Sequence, residues 1–266
     1  MAEASGWNVR WAVGSDRMQS LAKELVELQP DVVLTHGTAA TAAVQRETRT
    51  IPIVFVNVAD PVASGFVAGL NQPGGNITGF ANYEASLAAK WLELLLEIAP
   101  GLKRVAIMSN PDGTPVSFFT SSFEAAARSL KVAPIIAPVR SDEEIEAAIN
   151  ALGREPGGGL VVMPDTFMTA HRASIILAAA RNNVPAVYWL SIFARDGGLL
   201  SYSTDPVDIF RRAASYVDRI LRGEKPGDLP VQFPTKFEMV LNRKTATVLG
   251  LTVPPTLYAL ATEVIE

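Results

Sequence analysis

Ile51-Pro-Ile-Val-Phe-Val-Asn-Val-Ala-Asp-Pro61 is a short, almost unbroken apolar run that ends in polar residues, and Gln72-Pro-Gly-Gly-Asn-Ile-Thr-Gly-Phe80 follows it with a turn. A strand buried on both faces of a parallel sheet reads this way. Open α/β sheets bind ligands at the carboxyl ends of such strands. Asn57, Asp60 and the Pro-Gly-Gly-Asn turn are therefore expected where a small molecule would be held.

The same alternation runs along the chain. Asp31–Thr35 reads as a strand and Thr38–Arg46 as a helix; Ile53–Val58 and Asn76–Phe80 are strands. Ser86–Ile98 carries Leu87, Trp91, Leu94, Leu95 and Ile98 on one helical face, and Pro100-Gly101 ends it. The pattern restarts with a strand at Arg104–Ser109, a helix at Pro115–Leu130 and a strand at Pro134–Val139. Ser141 with Glu144 three residues on predicts a capping box. Gly159–Met163, Pro185–Leu190 and Leu199–Ser203 read as strands around a helix at Thr169–Asn182. Asp205 caps a long helix to about Arg222; then come a strand at Lys236–Leu241 and helices at Lys244–Leu249 and Thr256–Val264.

Repeated βα units imply right-handed crossovers and parallel sheets covered by helices. The fresh start at Arg104 predicts two Rossmann-like α/β lobes with a ligand cleft, a single doubly wound sheet being the alternative.

At 266 residues, 48% hydrophobic and 19% charged, the chain is long enough for two such lobes. The net charge of −4 gives no basic footprint for nucleic acid. With no cysteine there is no disulfide, thiolate metal site or thiol nucleophile. No apolar stretch has membrane-spanning length, and Met-Ala-Glu-Ala-Ser-Gly does not read as a signal peptide.

Enzyme chemistry finds little support. The two histidines, His36 and His171, lack metal-ligand spacing, so no metal is expected. For His36 a polar residue closing a strand is favoured over a ligand contact, and as a general base it has no nucleophile nearby. There is no nucleophile elbow, Walker loop or dinucleotide fingerprint, and Gly157–Gly159 precedes a strand and reads as a plain turn. Asp60, Asp165 and Asp205 each follow a strand; they suit acid–base work, helix capping, or a ligand's ammonium group. No catalytic residue and no cofactor is assigned.

The sequence resembles the ABC-transporter substrate-binding family that includes the tryptophan/tyrosine-binding lipoproteins of bacterial uptake systems. The resemblance runs from about Val9 to Glu266 and is carried by Asp31–Thr38, Ile51–Pro61, Pro73–Gly79, Lys90–Leu94, Arg211–Tyr216, Pro234–Glu238 and Leu249–Pro254. It implies a periplasmic-binding-protein type I fold with three crossovers. It also implies a periplasmic or lipid-anchored protein that delivers a small solute to ABC permease subunits at the membrane. The expected lobes are residues 1–80 with 204–230, and 81–203 with 231–266, hinged near Phe80, Ser203 and Val231.

Ligand contacts are expected from Gly37, Thr38 and Ala39, whose amides open a helix, and from Asn57, Val58, Ala59 and Asp60. Asn110, Asp165 and Phe167 would face them; Tyr188, Trp189 and Phe193 would give an apolar wall, with one of Tyr188 and Trp189 in the core. By resemblance Asp205 would bind the ligand's ammonium. The solute is then an amino acid or an aromatic acid.

The family pattern places a strand and a helix ahead of the segment resembling Val9–Val13. Either Val9–Val13 pairs with Asp31–Thr35, or another subunit fills the position as a homo-oligomer. The rival readings are an intracellular ligand-sensing regulatory domain and an α/β enzyme.

Overall fold

The computed structural model describes residues 6–11, 15–81, 86–112 and 117–266. The chain divides into two compact units, Met1–Glu84 with Thr204–Lys236 and Ala85–Ser203 with Phe237–Glu266. It therefore passes from one unit to the other three times.

The first unit is built on a three-stranded sheet in the order β1 (Val33–His36), β2 (Ile53–Val58), β3 (Ile77–Ala81), with both pairings parallel. The unbroken run in β2 is explained by burial on both faces. Ile53, Phe55 and Val58 pack into one core with Val44 of α2 (Thr38–Glu47) and Ala22 of α1 (Ser15–Glu27). Val54 and Val56 pack into another, with Phe80 and with Ile209, Ala213, Tyr216 and Ile220 of the long helix Pro206–Leu221. The sequence reading leaves α1 unassigned, because its inward stripe is only Met18, Ala22 and Val26 on an otherwise polar helix.

β1 has β2 on one side and, among the described residues, no strand on the other. Residues 9–11 form no strand, and Trp7, Val9 and Trp11 are 80%, 57% and 84% exposed. The expected pairing of Val9–Trp11 with Asp31–Thr35 is therefore not made; Ala12 and Val13 lie outside the described residues. Likewise Pro115 and Val116, at the start of a predicted helix, lie outside them.

Pro73–Asn76 corrects an expectation. It precedes β3, and the Asn76 carbonyl accepts from the Ile53 amide at the start of β2. The turn therefore lies at the amino end of the parallel strands, opposite the end that binds ligands. Gly74 also donates to the Gly227 carbonyl, 3.1 Å away, so the turn is a packing element.

The second unit holds a seven-stranded sheet. Its strands are β4 (Arg104–Ser109), β5 (Ala133–Pro138), β6 (Gly158–Val162), β7 (Ala186–Tyr188), β8 (Leu200–Thr204), β9 (Phe237–Asn242) and β10 (Glu263–Ile265). They lie in the order β10-β9-β8-β7-β6-β4-β5. The helices are α3 (Leu87–Ile98), α4 (Ser117–Ser129), α5 (Asp142–Gly153), α6 (Thr166–Ala170), α7 (Arg172–Arg181) and α8 (Ser191–Arg195). The long helix of the first unit follows as α9, and α10 (Arg243–Val248) and α11 (Pro255–Leu260) complete the second. All five residues expected on one face of α3 are buried, and the Trp91 indole N–H donates to the Tyr202 carbonyl at 2.8 Å. The last predicted helix ends early: α11 stops at Leu260, and Glu263–Ile265 pairs in parallel with β9. The β-branched Val264 and Ile265 suit a strand better than a helix end.

Candidate functional site at the carboxyl ends of the strands

In the first unit β1 ends at His36, and Gly37 turns the chain into α2. Gly37 has φ 84°, a left-handed conformation that a side chain would strain. It caps α2 without a side-chain hydrogen bond, which leaves first-turn amides pointing out of the helix. Such amides and the helix dipole favour an anion. The Thr38 hydroxyl accepts from the Ala59 amide at 3.4 Å, which draws the segment after β2 against this helix end.

β2 ends irregularly. Its register against β3 shifts between Val56 and Val58, and Asn57 has φ 57°. Asp60 has φ 38°, and its Oδ1 accepts from the Ala63 amide at 2.9 Å. Two non-glycine residues with left-handed backbone within four positions mark strain of the kind that clusters at binding sites. The Asn57 amide donates to His36 Nε2 at 2.8 Å, and the His36 ring lies nearly parallel to that of Phe210, 10° apart with centroids at 5.8 Å. Partial burial holds the His36 imidazole below its usual pKa. The stack brings the first turns of α9 beside the end of β1. Asp205 caps α9, its Oδ1 accepting from the Val207 and Asp208 amides at 2.9 and 3.1 Å.

Gly37, Thr38, Ala39, Asn57, Ala59, Asp60 and Asp205 thus all belong to the first unit. His36 and Phe210 join them; sequence reasoning favours a polar residue closing a strand over a ligand contact for His36, and does not single out Phe210. A signal was available. The inward stripe of α9 is Ile209, Ala213, Tyr216 and Ile220, and Phe210 falls outside it, 40% exposed.

The remaining expected residues belong to the second unit. Asn110 follows β4, and its Oδ1 accepts from the Asp112 amide at 2.7 Å. Asp165 caps α6, its Oδ1 accepting from the Phe167 amide at 2.6 Å. The Phe167 ring packs on His171, centroids 4.1 Å apart. Tyr188 and Phe193 do not present an apolar wall. They stack on each other at 4.9 Å inside the core of this unit, 1% and 0% exposed, and burial pushes the Tyr188 phenol above its ordinary pKa. Trp189 is half-buried against the same core. Among the described residues no cluster of three or more His, Cys, Asp or Glu has metal-binding geometry.

Comparison with known proteins bears on the family and the fold. The family model for ABC transporter substrate-binding proteins matches residues 9–265. A tyrosine-binding protein of Clostridioides difficile is 24% identical over 233 residues, which span 88% of this chain and 67% of that protein. The crystal structure of a conserved domain protein from Vibrio cholerae matches with a TM-score of 0.84 and 27% identity, covering 94% of this chain and 84% of that one. The structure of an ABC domain in complex with L-Trp from Streptococcus pneumoniae matches with a TM-score of 0.84 and 23% identity, covering 95% and 84%. The two-unit α/β architecture is the periplasmic-binding-protein type I fold. With the family model spanning nearly its whole length, the chain belongs to the ABC transporter substrate-binding protein family.

Proposed function

We propose that this chain captures an amino acid and delivers it to the permease of an ABC uptake transporter, from a periplasmic or lipid-anchored position. The observation that carries the reading is the end of β1. There the α2 amides lack a side-chain cap, directly before them the backbone turns at Gly37, and the polar residues Asn57 and Asp60 have left-handed backbone. Uncapped amides suit a carboxylate. Asp205, at the start of α9, offers a second carboxylate oxygen beyond the one that caps the helix, which suits an ammonium group. Within the second unit, Asn110, Asp165, Phe167 and Trp189 are the residues proposed as ligand contacts. A relative named for tyrosine binding and a similar fold in complex with L-Trp support an amino acid as the solute.

Solute binding works by population shift, favouring one arrangement of the hinge segments that the permease recognises. A thermal-shift panel of amino acids, aromatic acids and sugar alcohols tests the reading. Native-state binding raises stability by about 2.7 kcal/mol at a hundredfold excess over Kd. A concentration-dependent rise with an amino acid supports it; a rise only with a sugar alcohol refutes it.

The outer edge of β1 bears on self-association. Val33 and Gly37 donate their amides to the Pro52 and Val56 carbonyls, so the peptide groups of Leu34 and His36 face the side that has no strand among the described residues. A second copy pairing along this edge would form a dimer. Light scattering across a concentration series decides it, since a monomer mass throughout removes the dimer.

A further inference from the structure

We propose that His36 and Phe210 form a specificity-determining wall in the first unit, selecting solutes whose side chain is a flat ring; this rests on the amino-acid reading above. Val207 and Phe210 are 60% and 40% exposed, one turn apart on α9, while the helix is anchored through other residues. Neither ring nor isopropyl group is needed by the core beneath. Such a pair offers an apolar surface that a partner can cover. The cover here is the solute, because the pair stands at the carboxyl end of β1 and β2, beside the uncapped start of α2 and the strained Asn57.

The wall is preorganised. The helix fixes Phe210, the near-parallel stack holds one face of His36, and the Asn57 amide holds its Nε2 edge at 2.8 Å. Because Nε2 accepts that hydrogen bond, the neutral imidazole carries its proton on Nδ1. Burial keeps the ring neutral near pH 7, so it presents an uncharged aromatic surface. A flat ring laid on a wall already in place loses little ordering entropy and gains offset-stacking contacts, an advantage of about tenfold in affinity over an aliphatic side chain.

Calorimetric titration of the full chain with L-tyrosine, L-phenylalanine, L-leucine and 3-phenylpropionate tests the wall, alongside Phe210→Leu, which keeps an apolar side chain and removes the ring. The expected result is about tenfold weaker binding of both aromatic amino acids in Phe210→Leu, with leucine changed less than about threefold. His36→Gln, which keeps an acceptor for Asn57, should show the same selective loss and stands in if Phe210→Leu does not fold. Equal losses for aromatic and aliphatic amino acids, or none, overturn the wall and leave the amino-acid reading intact. Binding of 3-phenylpropionate alone, weakened by Phe210→Leu, removes the amino-acid reading and keeps the wall. Binding of none of the four compounds overturns both.

Discussion

Asn57 donates its side-chain amide to Nε2 of His36 across 2.8 Å, from a backbone held at φ 57°. The contact ties the ends of two adjacent strands together and requires an unprotonated Nε2. Burial already lowers the His36 pKa in the folded chain, below the ordinary value of 6.5 that the unfolded chain keeps. The unfolded state therefore holds more protons between these two values, and stability falls as pH drops through that window. The contribution is fully present above 6.5 and is lost as pH falls past the folded-state value. Urea unfolding at about pH 7.5 and about pH 5.5 should show a smaller decline in His36→Gln than in the parent. Identical declines would mean that His36 does not carry this dependence.

At Asp205 one substitution separates helix capping from the proposed contact with a solute ammonium. Its Oδ1 caps α9 through the Val207 and Asp208 amides. Asn caps as well as Asp, whereas Ala costs about 1 kcal/mol at such a position. Asp205→Asn should therefore melt close to the parent and Asp205→Ala several degrees lower. If the carboxylate also holds a solute ammonium, both variants lose amino-acid affinity. A parental affinity in Asp205→Asn would confine Asp205 to capping.

Most of the fold was legible because its signals are local. The run Ile53–Val58 could only be a strand covered on both sides, and Asp205 and Ser141 announced the helices that they cap. Even the capping box differs in one detail: Ser141 accepts from the Glu144 amide, but the Glu144 carboxylate takes the Arg140 amide. What failed was long-range. The parallel partner of β10 is β9, which helical spacing around Thr256–Val264 could not reveal.

Gly79 shows how tightly the first sheet is built. It has φ 153°, and a Cβ there would lie 2.1 Å from the Phe55 carbonyl oxygen, in the middle of the β2–β3 pairing. Backbone cannot yield as a side-chain tip can, so Gly79→Ala should destabilise the protein by about 3 kcal/mol. Gly75→Ala, with open space around the new methyl, should stay within about 0.5 kcal/mol of the parent. Urea midpoints of the two variants make the comparison, and similar values would remove the steric account.

The site was less legible than the fold, and Tyr188, Phe193 and Phe210 show why. All three are aromatic residues near the carboxyl ends of strands or in the helices that follow. Sequence spacing ranks the first two as a wall, yet they stack inside the core, while Phe210 lies one position off the inward stripe of α9 and reaches solvent. Chemistry at a site depends on which side of a packed layer a ring falls, and a few degrees of helix rotation decide that. Pro73–Asn76 was misplaced for a related reason: a turn motif carries no information about which end of a sheet it serves.

Arg212 gathers the segment that leads into the third passage between units, and its planar fork is what the position uses. It donates to the Phe233 carbonyl at 3.0 Å, the Thr235 hydroxyl at 3.2 Å and Gln232 Oε1 at 3.1 Å. Its guanidinium lies 5.2 Å from the centre of the Phe80 ring, and Asp208, with a side chain only 10% exposed, balances its charge at 3.8 Å. Arg212→Ala leaves Asp208 with Lys236 alone, at 3.3 Å, and that lysine is 61% exposed and hydrated. A loss of about 3 kcal/mol is expected, the cost of stranding a buried charge with its hydrogen-bonded neighbours. Arg212→Lys keeps the charge but not the fork or the flat face over Phe80, so it should recover less than half of that loss. Lys236→Ala, removing an exposed partner, should cost less than about 1 kcal/mol. Denaturant unfolding of the three variants ranks them. Full recovery by lysine at 212 would show that charge alone matters there, and that the fork does not organise Gln232–Thr235.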